Sequence, residues 1–166
     1  TGLDIAADAV KACRARNKDA RVRFEIGDAQ AMPFADGSFD AVVNVESSLN
    51  YPDFAAFLRE VVRLLSPGGY FMFADYRSAK SYLRMKEALE QLNWRIVLAE
   101  DISPSIVRGL EHTRAASREH IHRFVPRFLQ TTAIRFARLG KDKDDDALSF
   151  AVGRKRYLAM VLQKPE

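Results

Sequence analysis

Cysteine is almost absent from this sequence, and its scarcity excludes several kinds of site. The 166 residues include one cysteine, Cys13, so the chain can form neither an internal disulfide framework nor a cysteine-rich zinc site. The residues around Cys13 have a helical pattern, which predicts a buried and inert thiol.

Long apolar runs are also missing. No stretch reaches the length of a membrane-spanning helix, and no basic-then-apolar leader opens the chain. We therefore expect a cytoplasmic protein without stable membrane insertion. Hydrophobic residues make up 48% and charged residues 29% of the sequence, which is typical of a globular protein with one substantial core.

A strong charge of one sign is lacking as well. The net charge is +4, and the basic residues late in the chain alternate with aspartates across 141–146, which favours a solvated loop over a nucleic-acid surface. We expect no nucleic-acid partner. His120 and His122 are two positions apart in a predicted helix and face different sides, so they do not predict a shared metal.

Short apolar runs alternate with amphipathic segments over the first hundred residues, and one more such run lies near the end of the sequence. The runs are typical of strands that are covered on both faces, and they fall at 2–5, 22–26, 41–45, 70–74, 95–99 and 157–162. Helical spacing lies between them at 7–16, 54–65 and 81–92. This alternation predicts an α/β fold with a doubly wound, largely parallel sheet.

The alternation fails between residues 103 and 155. Ser103-Pro104 predicts a helix start, with that helix running to about residue 111. A second helix is predicted after Ser117, interrupted at Pro126. We therefore divide the chain into a core at 1–102, a helical insertion at 103–155 and a final core strand at 156–166. The insertion is either a lid over the sheet edge that binds substrate or a helical pair on the sheet flank.

Polar residues stand where the predicted strands end. Each could be an ordinary helix cap or turn residue, but together they predict a row along one edge of the sheet. Ligands of doubly wound sheets bind beyond the carboxyl ends of the strands. The row contains Asp4, Asp28, Asn44, Glu46, Asp75 and Asp101.

Several motifs in order resemble the class I S-adenosylmethionine-dependent methyltransferases. They are GLDI at 2–5, GDAQAMPF at 27–34, SFDAVV at 38–43 and LLSPGG at 64–69. The resemblance implies a Rossmann-like sheet with an antiparallel last strand, and S-adenosylmethionine as the cofactor. The family's first strand and glycine-rich loop would precede Thr1, so we expect the natural protein to extend further at its N-terminus.

The resemblance also assigns cofactor contacts. Asp4, with Ile5, would bind the ribose hydroxyls, while Asp28, Ala29 and Gln30 would meet the adenine. Met32 would flank the ring or belong to the core. Asn44 and Val45 end the strand that would face the reacting methyl group.

The segment 44–48, with Tyr51 and the residues around Tyr76, is similar to lipid and polyketide O-methyltransferases, including phthiotriolone dimycocerosate methyltransferases. It implies a small, hydrophobic, hydroxylated acceptor, with Ser47, Ser48, Tyr51 and Tyr76 as acceptor contacts. Leu49 stands where a histidine is common in that group, so the candidate bases are Glu46, His112, His120 and His122.

The sequence leaves two alternative functions and the oligomeric state open. A carbon methyltransferase of the quinone-biosynthesis type shares these motifs. A truncated, non-catalytic methyltransferase domain that acts as a binding module is the alternative outside enzymes. A homodimer is also compatible with the sequence.

Overall fold

The computed structural model of the protein describes residues 1–136 and 146–166, so most of the predicted charged loop at 141–146 lies outside the described residues. The strands are β1 Gly2–Asp4, β2 Phe24–Ile26, β3 Phe39–Val45, β4 Leu65–Ser78, β5 Arg95–Asp101 and β6 Lys155–Gln163. The α-helices are α1 Ala7–Arg16, α2 Phe54–Leu64, α3 Ala79–Glu90, α4 Ser103–Phe124, α5 Arg127–Phe136 and α6 Asp146–Ala151. A short 3₁₀ helix spans Ser48–Asn50.

The strands confirm the predicted fold class. In the four-stranded sheet the order is β3-β4-β6-β5, with β3 parallel to β4 and β6 antiparallel to both of its neighbours. Strands β1 and β2 form a separate parallel pair, so the single sheet expected from the sequence consists of two ladders. Residues of β1 and β3 both line a cavity of about 490 Å³, which we call the interstrand cavity.

The core lies between the four-stranded sheet and helices α2 and α3. Alternate residues of β4 point to this side, as the two-residue period of a strand requires. Helix α2 begins after Asp53, whose carboxylate accepts a hydrogen bond from the Ala56 N–H at 2.9 Å. The central cluster contains Phe57, Leu58, Val61, Leu65, Phe71, Phe73, Met85, Leu89, Leu158, Met160 and Leu162.

Two local predictions were wrong. Helix α4 runs unbroken from Ser103 to Phe124, since no proline interrupts residues 112–117, although the chain does leave the helix before Pro126. Cys13 is exposed because α1 buries Val10 alone. Residues 66–69 belong to β4, where the register with β3 shifts between Phe39 and Ala41.

The helical segment starts at the carboxyl end of β5. Helices α4 and α6 contact each other and β6, and the Ile102 N–H donates to the Tyr157 carbonyl at 2.9 Å. None of the described helices is both long enough and apolar enough to cross a membrane.

Candidate functional site

The carboxyl ends of β1 and β2 open into one cavity of about 380 Å³, which we call the strand-end cavity. Because the two strands are parallel, the segments that follow β1 and β2 leave the sheet at the same edge. Five predicted cofactor residues meet there, together with two predicted acceptor contacts from the loop after β3. The lining residues are Leu3, Asp4, Ile5, Gly27, Asp28, Ala29, Gln30, Ser47, Asn50, Tyr51 and Pro52.

Asp4 is the last residue of β1 and has an exposed side chain. Its Oδ1 accepts a hydrogen bond from the Ala6 N–H at 2.8 Å, which fixes the carboxylate at the entry to α1. In the described part of the chain Oδ2 has no hydrogen-bond partner. Asp4 therefore presents an anionic acceptor to the cavity that can pair with hydroxyl donors.

Asp28 follows β2 and is held by Gln30. Its Oδ1 accepts from the Gln30 backbone N–H at 2.8 Å and from the Gln30 side-chain amide at 3.1 Å. These hydrogen bonds, the backbone one first, lower the pKa of Asp28 and favour the carboxylate. The Gln30 Oε1 in turn accepts from the Asp53 N–H at 2.6 Å. Gln30 thus ties the turn after β2 to the start of α2.

Tyr51 organises the loop after β3. Its hydroxyl accepts from the Asn44 side-chain amide at 2.9 Å and lies 2.9 Å from the Ser47 hydroxyl. Asn44 is only 7% exposed, and its Oδ1 is buried without a hydrogen-bond partner among the described residues. A buried unpaired acceptor is costly, so this oxygen is available to a donor group that enters the site.

The remaining cofactor candidates lie along the interstrand cavity. Asn44, Val45 and Met32 line it, and Met32 also packs against the core cluster. The Met32 N–H donates to Glu60 at 2.7 Å. The structure therefore places Met32 among core contacts, away from the strand-end cavity lining.

Ser48 lies in a buried polar network that the sequence analysis did not identify. Its hydroxyl donates to Asp75 Oδ2 at 2.5 Å and accepts from Arg77 Nη2 at 2.7 Å. An Arg77 Nη1 to Asp75 Oδ1 ion pair of 3.2 Å closes the network. The two-residue alternation of β4 could have indicated this network, since Asp75 and Arg77 occupy the same inward-facing positions as Phe71 and Phe73.

Glu46 and Tyr157 form a second contact that the sequence did not reveal. The Tyr157 hydroxyl donates to Glu46 Oε1 at 2.9 Å, although 111 positions separate the two residues. Glu46 has a positive φ of 50°, and its carboxylate lies outside the linings of both cavities. Burial, followed by the hydrogen bond to Glu46, raises the pKa of Tyr157, so Tyr157 remains a hydrogen-bond donor at neutral pH.

None of the three candidate histidines lines the strand-end cavity or the interstrand cavity. All three are exposed on α4. His122 Nδ1 lies 3.0 Å from the Gln130 side-chain oxygen, and the His120 ring is 6.0 Å from the Phe124 ring. Tyr76 also lies outside both cavity linings and packs against Phe150 with a ring separation of 5.7 Å.

Comparison with known proteins shows which family and which solved structures the chain is similar to. Residues 1–73 match the family model described as a methyltransferase domain. The phosphoethanolamine N-methyltransferase 2 of Haemonchus contortus, solved with S-adenosyl-L-methionine, superposes with a TM-score of 0.75 at 20% identity, over 99% of this chain and 43% of that one. The fold is the Rossmann-like fold of S-adenosylmethionine-dependent methyltransferases.

Two relatives of known activity are similar in sequence to most of this chain. The fatty-acid O-methyltransferase of Mycolicibacterium smegmatis is 41% identical over 130 residues, which are 78% of this chain and 47% of the relative. The phthiotriol/phenolphthiotriol dimycocerosates methyltransferase of Mycobacterium tuberculosis is 39% identical over 130 residues, covering 78% and 48%. The chain thus spans about half the length of these relatives. Its residues 1–73 match the methyltransferase domain, and the resemblance seen in its motifs is confirmed.

Proposed function

We propose that the whole protein transfers a methyl group from S-adenosylmethionine to a hydroxyl group of a small hydrophobic acceptor of the lipid or polyketide type. The observation that carries the proposal is the convergence of Asp4 and Asp28 on one cavity, at the ends of two parallel strands of a methyltransferase domain.

The strand-end cavity suits the nucleoside part of this cofactor. Its volume of about 380 Å³ lies within the range of small-molecule sites, roughly 300–1,000 Å³. Asp4 would accept hydrogen bonds from the ribose diol, and Asp28 from the adenine amine, with Ala29 and Gln30 beside it. Both are charge-assisted contacts. The buried, unpaired Asn44 Oδ1 suits a cationic or N–H donor group in the rest of the cofactor.

S-adenosylmethionine supplies a methyl group that its sulfonium already activates. The chain's own residues would align the acceptor, exclude water and receive the hydroxyl proton. Among the four candidate bases we assign the proton to Glu46. It directly precedes Ser47, which lines both cavities, whereas no residue of α4, which carries the three histidines, lines either cavity.

The acceptor class rests on two lines of support. The relatives are named for fatty-acid and dimycocerosate substrates. In this chain Phe124 and Phe128 are 70% and 82% exposed, so they do not belong to the described core and could contact an apolar acceptor. No specific observation favours carbon methylation or a non-catalytic role over this proposal. The lid role of 103–155, a cytoplasmic location and a homodimer stay predictions.

Calorimetric titration of the whole protein with S-adenosylhomocysteine tests the proposal. Asp4→Asn and Asp28→Asn should each weaken binding by about 1–3 kcal/mol, because a polar group of the ligand loses its partner. Asp8→Asn, a change at an exposed carboxylate in the first turn of α1, is the matched control. A wild type that does not bind, or variants that bind like the control, would contradict the proposal. Mass spectrometry of reactions with hydroxylated lipids then tests the acceptor.

A further inference from the structure

We propose that Tyr157 is a positioning residue, which holds the Glu46 carboxylate where it receives the proton of the acceptor hydroxyl. This inference rests on the proposed function and extends it to a residue that no motif singles out.

The contact joins parts of the sheet that are not adjacent. Glu46 follows β3 and Tyr157 lies on β6, with β4 between them. The Tyr157 hydroxyl reaches across β4 to Glu46 Oε1, at 2.9 Å. Neighbouring strands are about 4.8 Å apart, so the Tyr157 and Glu46 side chains together bridge two such spacings. Tyrosine contributes a long, rigid side chain that ends in a donor.

Tyr157 itself is held from several sides. It is 5% exposed, and its ring centroid lies 6.2 Å from that of Tyr76 and 6.3 Å from that of Phe150. Its backbone N–H donates to the Ser103 hydroxyl at 2.8 Å, at the start of α4. A buried and hydrogen-bonded side chain has few alternative rotamers, so the position of its hydroxyl is well defined.

The backbone and the side chain of Glu46 are both held in a defined conformation. Its φ of 50° is uncommon for a residue other than glycine, and such backbone strain clusters at functional sites. The Glu46 N–H donates to the Ala74 carbonyl at 2.9 Å, which fixes the turn. Oε1 is occupied by Tyr157, while Oε2 has no hydrogen-bond partner in the described part of the chain. One oxygen is thus anchored and the other is open to a proton.

Proton transfer to Glu46 accompanies methyl transfer to the acceptor oxygen. The acceptor oxygen forms a bond to the methyl carbon as the carbon–sulfur bond breaks, and the electron pair of that bond remains on sulfur. The O–H bond of the acceptor breaks, its electron pair stays on the oxygen, and its proton passes to Glu46 Oε2. The Tyr157 proton stays on Tyr157, whose role is to hold Oε1.

Steady-state kinetics of the whole protein test the inference. Tyr157→Phe keeps the ring and removes the donor, so kcat should fall about 10-fold or more, with KM for the acceptor and affinity for S-adenosylhomocysteine unchanged. Tyr70→Phe, at an exposed position of β4 six residues before Tyr76, is the matched control and should retain wild-type kcat. In a Glu46→Gln background, Tyr157→Phe should change kcat no further, because the group that it positions is already lost.

Two results would overturn the inference. One is a Tyr157→Phe kcat equal to that of Tyr70→Phe in an active protein. The other is an equal fall in kcat with and without Glu46→Gln, which would indicate a structural role. A wild type that binds no S-adenosylhomocysteine and methylates no acceptor would refute the proposed function itself, and with it this step.

Discussion

Replacing Asp75 should destabilise the protein more than replacing most other carboxylates. Its side chain is completely buried, at 0% exposure. It receives hydrogen bonds from the Ser48 hydroxyl at 2.5 Å and from the Tyr76 N–H at 2.8 Å, and it pairs with Arg77 at 3.2 Å. Asp75→Ala leaves these donors without their acceptor and leaves the Arg77 guanidinium buried without its counter-charge.

The expected loss follows from that geometry. Removing one partner of a buried ion pair costs about 3–5 kcal/mol. The exposed pair of Lys86 and Glu90, one helical turn apart at 3.6 Å, provides the control, because exposed helical pairs contribute only about 0.3–0.5 kcal/mol. Asp75→Leu combined with Arg77→Met removes both charges, and it should be less destabilising than Asp75→Leu alone.

Urea unfolding followed by Trp94 fluorescence measures these differences. Trp94 is the single tryptophan of the chain and lies beside the core residue Phe71, at a ring separation of 6.0 Å. An Asp75→Ala variant within about 1 kcal/mol of Glu90→Ala would refute the reasoning. The buried network would then contribute little to the stability of the loop that carries Ser48.

Two further perturbations have expected results. Glu60 accepts two hydrogen bonds from Arg63 and one from the Met32 N–H. These bonds, those from Arg63 first, lower the pKa of Glu60 below its ordinary value of 4.5. The stabilisation that they provide is therefore complete above about pH 4.5 and is lost as the pH falls through the folded-state pKa. The unfolding free energies of Glu60→Gln and wild type should therefore differ at pH 7 and converge in acid; an equal gap at both pH values would contradict this. A Cβ at Gly69 would lie 2.9 Å from the Ser66 carbonyl oxygen and 3.1 Å from that of Asp40, so Gly69→Ala should cost about 1–3 kcal/mol in urea unfolding. Gly109→Ala in α4, where no described atom beyond its own helix lies within 4 Å, should instead stabilise by about 0.5–1 kcal/mol, and equal effects at the two glycines would contradict the packing argument.

The sequence predicted those features that depend on local pattern. Apolar runs separated by amphipathic segments placed the six strands of the described residues. The positions of Asp4 and Asp28 at strand ends follow from the same pattern, since the carboxyl ends of parallel strands share one edge.

The sequence did not predict features that depend on pairing between distant parts of the chain. The contact of Tyr157 with Glu46 spans 111 positions, and no local spacing indicates it. The separate pairing of β1 with β2 is likewise a property of the ladders. Helix α4 was split in two because residues 112–117 have a weak apolar period, but they contain neither proline nor glycine to end a helix.

A crystal structure of the whole protein with S-adenosylhomocysteine tests the central claim most directly. We expect the ribose hydroxyls within hydrogen-bonding distance of the Asp4 carboxylate, and the adenine amine against Asp28, in the strand-end cavity. A nucleoside bound elsewhere, or one bound there without contact to either carboxylate, would contradict it.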